Sequence, residues 1–273
     1  MKFFNLFLLS FLAQINTSFA NVHGENWQLG FLEPKSPLAR NTIAMHDFIM
    51  YFMYGIVAFV LLLLIITCFR FSAKRNKKPS TTSHNTILEV IWIVIPVIIL
   101  IIIGIPSIKQ LAERTTIPDA EMTLKVVGRQ WYWSYEYPDH GNIYFDSYMK
   151  KEADLLPGEQ RLLATDTKIV LPTETYIRVQ MTSSDVIHAW AVPKLGVKMD
   201  AIPGRLNETW IYIEEPGTYY GQCSELCGIL HAFMPIEIKA VSKEEFAIWV
   251  EQAKEEFASL NNLTIANNLI EVK

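Results

Sequence analysis

Two long stretches of the 273-residue sequence lack charged residues altogether. No Asp, Glu, Lys or Arg occurs in the 22 residues from Phe48 to Phe69, or in the 19 residues from Val90 to Ile108. At 1.5 Å of rise per residue, a helix of either length crosses a hydrocarbon layer of about 30 Å. Two such runs disfavour buried core helices of a soluble protein. They predict a hairpin of membrane-spanning helices at about 46–69 and 89–109.

The connection between these runs lacks acidic residues before Glu89. It contains five basic residues: Arg70, Lys74, Arg75, Lys77 and Lys78. Basic loops stay on the cytoplasmic side, so both ends of the hairpin are expected outside. Residues 1–20 resemble a secretory signal peptide, because an apolar core follows Lys2 and Ser18-Phe19-Ala20 fits the cleavage rule. Cleavage there would also place the mature start outside, while an uncleaved tail is the alternative.

The rest of the chain, residues 113–273, is poor in basic residues. Fifteen Lys and Arg stand against twenty-four Asp and Glu, a net charge of −9, whereas residues 1–112 have nine against four, or +5. This acidity argues against a nucleic-acid partner and favours a basic protein partner. The alternative is that it serves solubility alone.

Short β-forming stretches fill most of this acidic part. They are 123–127, 132–137, 168–171, 175–180, 210–213, 218–221 and 235–241, with turn signals such as Leu156-Pro157-Gly158 between them. The pattern predicts an all-β sandwich or barrel. Ser242 and Glu245 form a capping box before residues at helical spacing, which predicts a closing helix. We therefore expect a signal peptide (1–20), an N-terminal segment with a two-helix anchor (21–112), a β domain with its helix (113–260) and a tail (261–273).

Cysteine and histidine are scarce, with three and six residues, but two of the cysteines and one histidine lie close together in one segment. The twelve residues from Cys223 to Met234 also contain Cys227 and His231, and His188 lies upstream. Thiolate and thioether ligands favour copper or iron–sulfur, but zinc rarely uses Met and iron–sulfur clusters usually need four cysteines. One Cys, two His and a Met describe a mononuclear copper site, whereas a second bridging Cys suits two coppers. A Cys223–Cys227 disulfide is the alternative.

Taken together, these features resemble subunit II of the cytochrome c oxidases over nearly the whole mature length. Besides the hairpin, the matching segments are Gly128–Tyr137, Phe145–Tyr148, His188–Pro193, Asp200–Arg205 and Tyr219–Pro235. The resemblance implies a cupredoxin-like β-barrel that holds the dinuclear copper A (CuA) centre.

The resemblance also implies a ligand set. Cys223 and Cys227 would bridge both coppers. His188 and Met234 would complete one copper, and His231 with the backbone carbonyl of Glu225 would complete the other. The Glu225 carboxylate would reach a magnesium ion shared with subunit I.

Five further residues match functional positions of the family. Trp131 matches an electron-entry tryptophan, and three acids fall where the family docks cytochrome c: Asp146, Asp166 and Asp185. Glu89 matches a glutamate at the mouth of a proton path into subunit I. From the residues alone, Trp131 also fits a core aromatic, each acid a solvated charge, and Glu89 a helix-start acid favoured by the macrodipole.

The expected function is electron input to a proton-pumping oxidase in a bacterial-type inner membrane, with the β domain periplasmic. Cytochrome c would reduce CuA, and the electron would pass to haem in subunit I, where oxygen becomes water. Haem is expected only in that partner, because the uncharged runs contain no His. Other oxidase subunits and the lipid bilayer are further expected partners. Two alternative functions are a membrane-anchored copper chaperone and subunit II of a quinol oxidase. The quinol oxidase subunits lack the copper ligands, which are present in this sequence.

Overall fold

The structure, a computed structural model, describes residues 30–141 and 143–270, with side chains up to residue 257. The predicted signal peptide lies outside the described residues. Pro34–Lys273 forms one compact unit. The described residues of this unit form two long helices, ten strands in two sheets and a C-terminal helix.

The two long helices are α1 (Pro37–Arg70) and α2 (Thr86–Thr115). Both begin at a polar cap: Ser36 Oγ accepts the backbone N–H of Ala39 at 3.0 Å, and Asn85 Oδ1 accepts that of Leu88 at 3.1 Å. Both helices therefore extend beyond the predicted spans 46–69 and 89–109. Those spans followed the uncharged runs, whereas the capping residues that set the helix starts lie outside them.

The hairpin exposes its apolar side chains. No residue of the most apolar 18-residue window of either helix is buried within the structure. With 34 and 30 residues, α1 and α2 are about 50 and 45 Å long, enough to cross a bilayer and project beyond it. This arrangement is that of a membrane protein with an extramembrane domain.

The domain after α2 is a two-sheet β-sandwich. Its strands are β1 (Met122–Arg129), β2 (Tyr132–Tyr137), β3 (Ile143–Ser147), β4 (Ile169–Pro172), β5 (Ile177–Ser183), β6 (His188–Val192), β7 (Val197–Ala201), β8 (Asn207–Ile211), β9 (Gly217–Cys223) and β10 (Pro235–Val241). One sheet has the order β3-β2-β1-β5-β8, the other β4-β10-β9-β6-β7. The pairs β1–β5 and β4–β10 are parallel.

The strands alternate buried and partly exposed residues where one face meets the core. Strand β1 buries every second residue from Met122, and β5 every second residue from Ile177. The largest fully buried side chains include Trp133, Trp190 and Tyr135. The Trp190 Nε1–H donates to the Tyr135 hydroxyl at 3.3 Å, so both buried polar atoms have a partner.

The all-β prediction is confirmed, and each of the seven predicted stretches overlaps a strand. Three strands were not among them: β3, β6 and β7. Strand β7 (Val-Lys-Met-Asp-Ala) carries two charges, so its own composition does not indicate a strand. Such strands are stabilised by their neighbours in the sheet more than by their own composition.

The C-terminal helix α3 (Lys243–Ile270) begins with the predicted capping box. Ser242 Oγ accepts the Glu245 N–H, and the Glu245 carboxylate accepts the Ser242 N–H, each at 3.2 Å. Its buried face packs on the sandwich through Phe246, Val250, Ala253 and Phe257. The backbone stays helical to Ile270, ten residues beyond the predicted end of the β domain and its helix at 260. No Pro or Gly occurs there to stop the helix.

A hydrogen-bonded junction joins the hairpin to the sandwich. The Arg114 guanidinium, at the end of α2, donates to the Gly196 carbonyl at 3.2 Å and also contacts Thr42 of α1. Ser36 Oγ donates to the Leu195 carbonyl at 2.8 Å. At Gly196, where φ is +66°, an added Cβ would lie 2.5 Å from the Ala39 nitrogen. The close approach of α1 to this turn therefore requires glycine.

Candidate metal centre

The candidate centre lies where the loop between β9 and β10 meets the start of β6. Cys223 is the last residue of β9, and its N–H donates to the Met234 carbonyl at 3.0 Å, which closes the loop. The next N–H, of Ser224, donates to the Ala189 carbonyl of β6 at 2.9 Å. These backbone bonds bring Cys223 beside His188, 35 residues earlier in the chain.

Three of the predicted ligands form one cluster. The ligand atoms of His188, Cys223 and Cys227 lie within 4.8 Å of one another, and all three residues are buried. The two Sγ atoms are 3.8 Å apart, and the Cys223 Sγ is 3.9 Å from the His188 Nδ1. The structure therefore places two thiols and an imidazole nitrogen around one small volume.

The other predicted ligands surround this cluster. The His231 Nδ1 is 3.5 Å from the Cys227 Sγ, and the Glu225 carbonyl oxygen is 3.4 Å from the Cys223 Sγ. Met234 is buried and adjoins Cys223 through the β9–β10 pairing. The Glu225 side chain is exposed. The loop thus places an imidazole nitrogen and a carbonyl oxygen beside the thiol pair.

The two thiols are not bonded to each other. Both cysteines are free, and 3.8 Å is well beyond a disulfide bond of about 2.05 Å. The disulfide alternative therefore does not describe this structure. A separation of this size leaves both sulfur atoms available as ligands.

The electrostatics of the pair favour a cation between the thiols. Burial would raise the pKa of Cys223, but contacts with the His188 ring and nearby backbone outweigh it and lower that pKa to about 6. Burial, followed by the charge of Cys223, raises the pKa of Cys227 to about 12. The first thiolate thus opposes formation of the second. A bound cation removes this opposition, since thiolates are the form that ligates metals.

The donor set fits copper. Two thiolates, two imidazoles and a thioether are soft or intermediate ligands that favour copper over hard cations. The buried position of both sulfurs and of Met234 provides the water-poor surroundings that such a site needs. The residues present therefore fit the dinuclear copper group that the sequence resemblance implies.

Asp185 orients the His188 ring. Its Oδ1 lies 2.8 Å from the His188 Nε2, which leaves Nδ1 directed at Cys223. A carboxylate on the outer nitrogen fixes the tautomer that can bind metal at the other. The Asp185 Oδ2 also accepts the Gln130 N–H at 2.6 Å, so this acid connects β6 to the segment before Trp131.

Trp131 contacts the ligand loop directly. Its Nε1–H donates to the Cys227 carbonyl at 3.2 Å, and the Gln130 side-chain amide donates to the same oxygen at 2.8 Å. Gly228 makes this approach possible: its φ is +122°, and an added Cβ would lie 3.1 Å from the Trp131 ring. The indole is partly exposed, so one hydrogen bond connects a surface aromatic to the backbone of a candidate ligand.

The other predicted docking acids also have intramolecular partners. Asp146 accepts the Ser134 hydroxyl at 2.6 Å and the Tyr144 hydroxyl at 3.0 Å. Asp166, which is exposed, accepts the Tyr148 N–H at 2.8 Å. Glu89 lies in the first turn of α2, about 37 Å along that helix from Arg114, which contacts the sandwich. It is therefore at the end of the hairpin that points away from the sandwich.

Sequence reasoning gave no role to three residues beside the centre: Gly128, Gln130 and Trp133. All three belong to the segment Gly128–Tyr137, in which only Trp131 was assigned a function. Gln130 contacts the Cys227 carbonyl, while Gly128 and Trp133 contact the His188 ring. The matching segment was a signal, but only the strand register shows which of its residues face the centre.

Comparisons with known proteins identify the family. Residues 122–241 match the model described as "Cytochrome C oxidase subunit II, periplasmic domain", and residues 24–110 match "Cytochrome C oxidase subunit II, transmembrane domain". The chain is 50% identical over 242 residues to the probable cytochrome c oxidase subunit 2 of Rickettsia bellii, covering 89% of this chain and 90% of that protein. It is 45% identical over 232 residues to cytochrome c oxidase subunit 2 of Arabidopsis thaliana, covering 83% and 89%.

Among solved structures, the chain is similar to the periplasmic domain of subunit II of cytochrome oxidase of Bradyrhizobium japonicum. The identity is 56%, the TM-score is 0.49, and the match covers 52% of this chain and 99% of that one. The two family models together span the hairpin and the cupredoxin-like sandwich, and the relatives match over most of their length. The chain belongs to the cytochrome c oxidase subunit II family.

Proposed function

We propose that this chain is the electron-input subunit of its oxidase, taking electrons from cytochrome c at a dinuclear copper centre and passing them to haem in subunit I for the reduction of oxygen to water. The observation that carries the proposal is the buried pair of free thiols, 3.8 Å apart, with one imidazole beside each. Two copper ions bridged by these thiolates would supply a one-electron redox couple.

Each ligand residue has a defined part in this proposal. Cys223 and Cys227 would hold the coppers through their thiolates. His188, Met234, His231 and the Glu225 carbonyl would supply the remaining ligands. All six are fixed by β6, β9 or the short loop, so the site changes little in shape when an electron enters or leaves. The exposed Glu225 carboxylate would face a magnesium ion shared with subunit I.

Trp131 is the entry point in this proposal. Its ring is partly exposed, and its Nε1–H bonds the carbonyl of Cys227, one of the bridging residues. An electron from a docked cytochrome would thus cross one indole and one hydrogen bond to reach the ligand backbone. Gln130, bonded to the same carbonyl, holds the loop in place when Trp131 is substituted.

The docking surface for a basic cytochrome is the acidic outer domain, with Asp146 and Asp166 at its surface. The −9 charge of residues 113–273 would speed the encounter at low ionic strength. We assign Asp185 mainly to the orientation of His188, because its two carboxylate oxygens already accept bonds from His188 and Gln130. Its predicted docking role is secondary.

The membrane arrangement completes the proposal. The basic loop from Arg70 to Lys78 would face the cytoplasm, and the sandwich the periplasm, after removal of residues 1–20. Glu89 then lies at the cytoplasmic end of α2, where it could accept protons for a path into subunit I.

Metal analysis and electron paramagnetic resonance (EPR) of the purified oxidase test the proposal. We expect two coppers per copy of this chain in the centre and an oxidised signal split by two equivalent copper nuclei. Trp131→Phe should slow reduction by cytochrome c and leave that signal unchanged. One copper with a four-line mononuclear spectrum, or copper readily lost to a chelator as from a chaperone, would refute the assignment.

A further inference from the structure

The His188 ring fills the place of a missing side chain. Gly128 of β1 and Trp133 of β2 are directly paired across their strands, so their side-chain positions lie next to each other on the same face. Gly128 has no side chain, and the imidazole of His188, from the opposite sheet, lies over it. Trp133 flanks the imidazole, with ring centroids 5.8 Å apart and planes at 60°.

The fit over Gly128 is tighter than any side chain allows. A Cβ there would lie 2.7 Å from the Cδ2 and 2.9 Å from the Cγ of His188. The β1 backbone cannot readily retreat, because the Gly128 carbonyl accepts both the Ser183 hydroxyl and the Ser184 N–H at 3.1 Å. A methyl group at this position must therefore displace the imidazole.

The imidazole has little freedom to absorb such a displacement. Its Nε2 is held by Asp185 at 2.8 Å, its edge by Trp133, and the residue is fully buried. Any turn of the ring or shift of β6 changes the direction of Nδ1, which lies 3.9 Å from the Cys223 Sγ. The direction and distance of an imidazole ligand set how strongly it donates to a metal.

We propose that Gly128 and Trp133 are positioning residues that fix the plane of the His188 imidazole and thereby set the reduction potential of the centre. This inference rests on the proposed copper function. The conformation of His188 then depends on the surface of the opposite sheet as well as on the ligand loop. Neither residue offers a ligand atom to the centre.

The test compares Gly128→Ala and Trp133→Phe with Val127→Ala in the intact oxidase. Val127 neighbours Gly128 on β1, but its side chain points to the other face of the sheet. Trp133→Phe keeps an aromatic ring, and it removes no hydrogen bond among the described residues, because the Trp133 Nε1 has no partner there. The readouts are the midpoint potential and the EPR splitting of the oxidised centre.

For Gly128→Ala we expect an altered copper splitting and at least a tenfold change in the equilibrium constant for reduction, which is about 59 mV for one electron. Trp133→Phe should shift both readouts in a smaller degree, and Val127→Ala should match the wild type. If Gly128→Ala fails to assemble, Trp133→Phe decides. Wild-type potential and splitting in the assembled variants would overturn the positioning role. A wild-type oxidase without a two-copper signal would overturn the proposed function instead.

Discussion

The hairpin exposes its apolar side chains, whereas the sandwich buries them. In α1 and α2 the apolar residues point outward, and the windows that could cross a bilayer contain no buried residue. In the sandwich, Trp133, Trp190 and their neighbours are fully buried between two sheets. The sandwich therefore carries its own stability, whereas lipid or a partner subunit must cover the hairpin. The candidate metal centre lies in the sandwich, the half that needs no outside cover.

The sharpest test of this comparison exchanges one tryptophan in each half for alanine. Trp190→Ala removes a fully buried side chain and its bond to Tyr135, so we expect it to destabilise the sandwich by about 3–5 kcal/mol. Trp92→Ala, in the exposed face of α2, should leave the unfolding of the sandwich unchanged. Denaturant unfolding of the detergent-solubilised chain, followed by near-UV circular dichroism, measures both. Equal effects would contradict the separation of the two halves.

Two cysteines allow the same comparison for chemistry. Cys227→Ser should abolish the dinuclear copper signal, because a hydroxyl is a harder and poorer copper ligand than a thiolate. Cys68→Ser, in the exposed surface of α1, should retain full copper and the wild-type spectrum. Metal analysis and EPR of both purified variants provide the readout. A two-copper spectrum in Cys227→Ser would exclude the thiolate bridge.

A substitution at the junction between the hairpin and the sandwich tests whether the two halves are structurally independent. Arg114→Lys keeps the charge but loses the planar fork that reaches Gly196 and Thr42 together. We expect it to weaken the junction by about 1–3 kcal/mol. Hydrogen exchange at the Gly196 amide, bonded to the Pro193 carbonyl at 2.9 Å, should become faster. Arg75→Lys, in the exposed loop at the other end of the hairpin, is the control, and equal exchange in both variants would count against the junction.

The smallest expected effect concerns acid stability at one carboxylate of the sandwich, that of Glu159. Two hydrogen bonds lower the pKa of Glu159 to about 2. The larger effect comes from the Leu156 N–H and the next from the Lys150 side chain. Because this pKa is below its ordinary value of 4.5, the stabilisation is present above pH 4.5 and is lost as the pH falls toward 2. Glu159→Gln should flatten the pH dependence of the denaturation midpoint in that window. Glu152→Gln, at a more exposed ion pair, should not.

The hairpin and the loop that carries the two free thiols could be predicted from the sequence because their signals are local. An uncharged run of 19 or 22 residues and a loop with two Cys, a His and a Met each lie within one short segment. The helix ends were predicted less well, since the caps Ser36 and Asn85 lie outside the apolar runs. The charged edge strand β7 was missed because its pairing with β6 stabilises it more than its own residues do.

The surroundings of His188 could not be predicted for a different reason. The contacts of its ring with Gly128 and Trp133 depend on the register of β1 with β2 and on how two sheets face each other. The contact of Asp185 with His188 could not be predicted from the sequence either. Its position in the chain suggested a docking acid, but the turn into β6 directs its carboxylate at the ring three residues later.

The order of strands has a consequence for how the chain matures. Strand β10, the last to be synthesised, is an inner strand: it separates β4 from β9 in the second sheet. Until β10 emerges, β4 has no neighbour there, and Met234, which directly precedes β10, is not in place. Long-range pairings of this kind form slowly. The candidate metal centre therefore becomes complete only when the sheet closes, so a metal ion that arrived earlier would meet an incomplete set of the proposed ligands.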